Sequence, residues 1–240
     1  MATDTRILWR AKTPLVFMFA VPALLGGLLG SAFSSGPGGF PGRSVVGFGV
    51  LFSFMTINYI GMALFREFIE HTWTRQATYR VSKPAFLVGK LIPVVVIGLL
   101  QLLAFCLATL LIYDIPPRSV AQLVVISVAL AFCGPLLGIV LYNATSSAST
   151  FQSVTYLTLL GMGGAGGAIA PTGSLPLVVQ YVGTITPHHW AMAAFTNAMI
   201  GDGSWRTTGL DVAVIVGMNL VLAAVAVRTF DARDEKQPFA

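Results

Sequence analysis

The sequence predicts an all-α membrane protein of six transmembrane helices, organised as a single domain over residues 1–240. Three observations predict it. Of the 240 residues, 55% are hydrophobic and only 10% charged, against roughly 25% charged in an ordinary soluble domain. Apolar runs of about 20 residues, enough to cross a hydrocarbon slab roughly 30 Å thick, recur along the chain, and its mean hydropathy is +0.81. The Lys and Arg residues collect between these runs rather than inside them. A transmembrane β-barrel would instead show alternating segments of about 10 residues.

The spans are read at about 15–33, 45–65, 86–112, 119–142, 150–170 and 209–229. The first follows Arg6, Arg10 and Lys12 and resembles a signal peptide, with small residues at Ser31 and Ala32. It is read as an uncleaved span, because its removal would leave an odd number and break the charge pattern. Between the second and third spans lies a charged segment. The fourth and fifth are joined by the short turn Asn143 to Ser149, and the fifth and sixth by the long stretch 171–208. That stretch is too apolar for a solvated loop and holds Pro171, Pro176 and Pro187 with Gly173, Gly183, Gly201 and Gly203. It is expected to re-enter the outer leaflet as short broken helices packed on the bundle, since irregular backbone at that depth needs covering.

Orientation follows from the cations. The N-terminal segment, the loop after the second span (Arg66, Arg75, Arg80, Lys83, Lys90) and the tail (Arg228, Arg233, Lys236) hold eleven Lys and Arg, and the opposite side holds Arg43, Arg118 and Arg206. The positive-inside rule puts the eleven, and both termini, in the cytoplasm. The same rule accounts for the net charge of +5 without a nucleic-acid partner. Cys106 and Cys133 fall inside apolar runs, where a cysteine acts as a small core residue.

The chemistry that is missing narrows the function. No Asp, Glu, Lys or Arg occupies the middle of a predicted span, so a proton or sodium relay and an intramembrane hydrolase both lack their working groups. The chain is read as having no catalytic residue. Gly89 and Lys90 lack the upstream glycine and the following Ser or Thr of a P-loop, so ATP is not expected to bind here. His188 and His189 lie on the opposite side from His71, so no metal site is expected. Gly161, Gly163 and Gly166 match GxGxxG, yet within a span the pattern reads as helix packing. Gly26 with Gly30, Gly134 with Gly138 and Gly163 with Gly167 have the same close-approach spacing.

The segment Arg66 to Arg80 mixes charges with large apolar groups. Ile69, Trp73 and Ala77 share one helical face while Glu67, Glu70 and Arg75 lie off it, as in an interfacial helix that docks a partner. With Arg66-Glu67, Glu70, Thr72-Trp73, Arg75, Ser82 and Gly89-Lys90 in this order, the chain resembles the membrane subunits of ABC-2 type exporters, of the drug-resistance kind. His71 stands where that family usually has glycine. Pro14, Pro22, Gln101 and Pro187-His188-His189-Trp190 extend the resemblance over nearly the whole chain.

The resemblance implies a half-transporter with an N-terminal elbow, a cytoplasmic coupling helix and re-entrant helices before the last span. It would be a permease in the bacterial inner membrane, working with two copies of an ATP-binding cassette subunit and a second permease half, identical or homologous. ATP and Mg would belong to the ATP-binding subunit, with no cofactor on this chain. Arg66, Glu67, Glu70, Thr72, Trp73, Arg75 and Arg80 would form the ATPase-facing coupling helix, with Trp73 as anchor. Asn58, Tyr59, Met62, Tyr156 and Thr158 would line the substrate path, and such a wall suits an amphipathic drug, antibiotic or lipid. Export of a lipid-linked polysaccharide, or a non-transporting scaffold or immunity role, are the alternative readings.

Overall fold

The computed structural model describes residues 21, 24–25, 41–69 and 82–230. Apart from those first three positions, the predicted first span, the elbow and positions 70–81 lie outside them. Among the described residues every regular element is helical: α1 (Pro41–Ser53), α2 (Thr56–Ile69), α3 (Lys83–Tyr113), α4 (Val120–Ala144), α5 (Ala148–Ala165), a 3-10 turn (Thr172–Ser174), α6 (Leu177–Thr184), α7 (Pro187–Met199) and α8 (Trp205–Thr229).

Local chemistry sets the boundaries. Ser119, Ser147 and Ser204 cap α4, α5 and α8 by accepting the backbone N–H of Gln122, Thr150 and Arg206, which satisfies donors left open at a helix start. Pro84 and Pro187 sit in the first turns of α3 and α7, where the missing N–H costs nothing. Helix α3 ends on Asp114 in the left-handed region, φ 51°, a conformation that Asp tolerates better than most side chains.

The long α4 is the hub, packing against α8, α2, α3 and α7. Glycine permits the closest of these approaches. A Cβ on Gly134 would strike the Thr56 hydroxyl, and one on Gly138 would meet Ile60 and the Ile57 backbone, so this predicted pair does bring two helices together. In α3 the buried residues Phe86, Lys90, Val94, Gln101, Phe105 and Thr109 form one stripe, while Val88, Ile92, Val96, Leu100, Leu103 and Leu107 are exposed on the other. An apolar face this long on an exposed helix is a lipid-facing surface.

Among the described residues four stretches are long and apolar enough to cross a membrane: Arg43–Glu67, Lys83–Ile112, Val120–Ala144 and Trp205–Thr229. The predicted fifth span is the 18-residue α5, about 27 Å long at 1.5 Å per residue. Thr150, Gln152, Ser153, Thr155 and Thr158 lower its hydropathy, which keeps it out of the four. The predicted second span is split. Met55 N bonds Phe52 O and Asn58 N bonds Met55 O, three residues back rather than four, and this tightened stretch separates α1 from α2.

Candidate functional site

The end of the bundle that carries the charged motif is built from five helices. Arg66 and Glu67 occupy the last turns of α2; Arg66 is exposed and Glu67 half-buried. Lys90 falls on the buried stripe of α3, and its ammonium pairs with the Glu67 carboxylate, the two side chains being 8% and 14% exposed. Removing either partner from such a site takes a close opposite charge away from the other. Glu70, Thr72, Trp73, Arg75 and Arg80, the rest of the predicted coupling set, lie outside the described residues.

Behind this pair sits an aromatic cluster. Phe65 meets Tyr142 edge-on at 4.8 Å and Phe151 at 5.6 Å, while Phe230 stacks on Phe86 at 5.8 Å and lies 6.4 Å from Tyr142. These rings join α2, α3, α4, α5 and the end of α8 in geometries that add to their area burial. Lys83 Nζ donates to Phe230 O at 3.0 Å, placing a cation at the carbonyl end of α8, where the helix dipole favours it. Asn143 Nδ2 donates to Ala226 O and Thr229 Oγ1 at 3.0 and 2.8 Å. The sequence puts Asn143 in a turn, and an amide next to the last residue of α4 carries no signal of its distant partner.

The five path candidates divide in two. Gly61 packs on the Phe151 ring, Gln152 Nε2 approaches Met62 Sδ at 3.6 Å, and Gly163 packs on Leu51. Together these contacts set an antiparallel seam between the split helix and α5. Asn58 and Met62 are on that seam, half-buried, and Asn58 Nδ2 has no hydrogen-bond partner. The register brings Thr155 to the level of Asn58; it is fully buried with an unpartnered hydroxyl. Sequence reading passed over Thr155 for its neighbour Tyr156, which is 50% exposed on the outward face of α5 with Leu157 and Leu160. Tyr59 packs against the core and Thr158 is half-buried.

At the other end, His188 of α7 is fully buried and stacked on Phe54, with ring centroids 3.9 Å apart and planes 20° from parallel. Gly166 makes room for it, since a Cβ there would strike the His188 side chain. His189 meets Trp190 edge-on, and the indole N–H is bonded to Thr184 O at 2.7 Å. Gly161, in contrast to Gly163 and Gly166, faces open space.

A family model described as an ABC-2 family transporter protein matches residues 38–228. No curated protein matches the chain.

Proposed function

The chain belongs to the ABC-2 transporter family, and from that premise we propose that it is the permease subunit of an ATP-driven exporter of a hydrophobic or amphipathic substrate. Members of this family are transmembrane components, not themselves catalytic, and normally work with an ATP-binding subunit. In our reading two such subunits, carrying ATP and Mg, dock from the cytoplasm. A second permease half completes the complex in the bacterial inner membrane, with both termini of this chain inside the cell.

The observation that carries the reading is the Glu67–Lys90 pair. Glu67 and Lys90 flank the segment that the sequence assigns to coupling, so their pairing draws its two ends together. A push on Glu70, Trp73 or Arg75 from a closing ATPase dimer would then load two helices at once as a rigid-body shift. Trp73 is the proposed anchor, since Trp and Arg dominate interface hot spots. On the opposite side, Leu177, Val178, Tyr181 and Val182 along α6, and Ile185 just after it, are all exposed. So apolar a surface favours a re-entrant position in the outer leaflet.

The substrate path is assigned to the α2–α5 seam, with Asn58, Tyr59 and Met62 on one wall and Thr158 and now Thr155 on the other, while Tyr156 faces outward from it. The test is co-purification with the ATP-binding subunit, followed by ATPase stimulation in lipid. Trp73→Ala and Glu70→Ala are expected to uncouple substrate from hydrolysis. Unchanged coupling together with unchanged assembly overturns the proposed role of the segment.

A further inference from the structure

We propose that the break at Ser53–Thr56 is a hinge, and that the Phe54–His188 stack latches the outer half-helix α1 in the arrangement seen here. The proposal rests on the transport reading only for the use to which the motion is put.

Three observations carry it. First, the backbone at the break is satisfied from outside the helical ladder. Ser53 Oγ donates to Val50 O at 2.7 Å, Thr56 Oγ1 donates to Ser53 O at 2.8 Å, and Gln101 Nε2 of α3 donates to Phe52 O at 3.0 Å. Ser and Thr that bond back onto their own helix bend it, and a short 3-10 stretch inside a long helix marks hinges. Bending there leaves no carbonyl stranded in an apolar interior, because these side chains already hold it.

Second, the two halves share α3 but otherwise rest mainly on different neighbours. Helix α2 packs on α4, α3 and α5, fixed by the aromatic rings around Phe65 and by the Glu67–Lys90 pair. Helix α1 packs chiefly on α7 and α3, and α7 is itself seated on α8 and α4. The break is thus the point at which the main packing partner changes, from α4 for α2 to α7 for α1.

Third, the surroundings pin one side of the break and supply a stop on the other. Thr56, the first residue of α2, is packed closely against Gly98 of α3 and Gly134 of α4, which holds the start of α2 in place. Phe54 points from the break onto His188, whose two ring nitrogens have no hydrogen-bond partner. Its polar edge is held here by ring stacking alone and has every reason to find a polar partner, water included, once α1 moves away.

The test uses the full chain in lipid nanodiscs with Cys106→Ser and Cys133→Ala. Nitroxides are placed at Ser44→Cys on α1 and Leu210→Cys on α8, and their separation is measured by double electron–electron resonance. Two separations are expected, and His188→Ala should raise the longer one about two- to tenfold in population, the range a lost aromatic contact supports. Phe54→Leu, which keeps an apolar group at the break, should do the same if His188→Ala fails to fold. One narrow separation, unmoved in both variants and by ATP in the complex with the ATP-binding subunit, overturns the hinge. Transport with a fixed separation also overturns it, whereas a shift without any transport leaves the hinge standing and removes the exporter reading instead.

Discussion

The Lys90 ammonium reaches the Glu67 carboxylate across the α2–α3 interface, at a position where both side chains are largely withdrawn from solvent. Burial of this kind strengthens the attraction between the two charges. Glu67→Gln or Lys90→Met alone is expected to destabilise the chain by about 3 kcal/mol, because the remaining, largely buried charge then loses its closest opposite charge. Replacing both, as Glu67→Leu with Lys90→Met, should recover most of the loss, since an apolar pair carries no desolvation penalty. Thermal unfolding in detergent micelles separates the two results, and a double variant as weak as the singles would show that the pair is not the source of stability.

Glycine contacts give a sharper contrast. At Gly138 an added methyl meets the backbone of Ile57, which cannot rotate away, so Gly138→Ala should cost about 1–3 kcal/mol as overpacking. Gly89→Ala and Gly161→Ala add the same methyl into open space and should be neutral or slightly stabilising through helix propensity. Equal losses at all three positions, measured by thermal melts in one detergent, would mean the α2–α4 contact is not close-packed.

The far end of α8 offers a third case. Asn143 donates twice into the last turn of that helix, and an interhelical hydrogen bond within a membrane bundle contributes about 0.6–2 kcal/mol. Asn143→Ala is therefore expected to raise hydrogen exchange of the amides near Ala226 to Phe230 while leaving α3 unchanged. Protection that stays as in the parent chain would assign the anchoring to Lys83 and the aromatic rings instead.

Much of this architecture is legible in the sequence, for reasons that differ between elements. The apolar runs around α3, α4 and α8 are long and uninterrupted, so hydropathy alone locates them. Gly134 and Gly138 are spaced to face one way and do so. The split of the second span is not legible, because Ser53 and Thr56 are ordinary residues of a membrane helix until their hydroxyls are seen bonded to Val50 and Ser53 carbonyls. Nor is the distinction between Thr155 and Tyr156, adjacent residues that differ by a rotation of about 100° around α5. One is buried in the seam and the other half-exposed. Helical phase can be read from a strongly amphipathic stretch, but α5 mixes Ser, Thr and Gly on every face and gives no such signal.

That phase decides which residues should touch cargo. Asn58 and Thr155 each keep a polar atom without a partner, and an unsatisfied buried donor or acceptor costs about 1–3 kcal/mol. Opening the seam to a substrate with its own polar group would relieve that cost, so these two positions should govern selectivity more than Tyr156 does. In proteoliposomes carrying the ATP-binding subunit, Asn58→Leu and Thr155→Val are expected to raise the apparent KM for polar-headed substrates about tenfold with little change in basal ATPase. Tyr156→Ala should leave that KM within about twofold. If Tyr156→Ala changes selectivity and the other two do not, the path runs along the outward face of α5, and the seam is a packing contact held shut throughout the cycle.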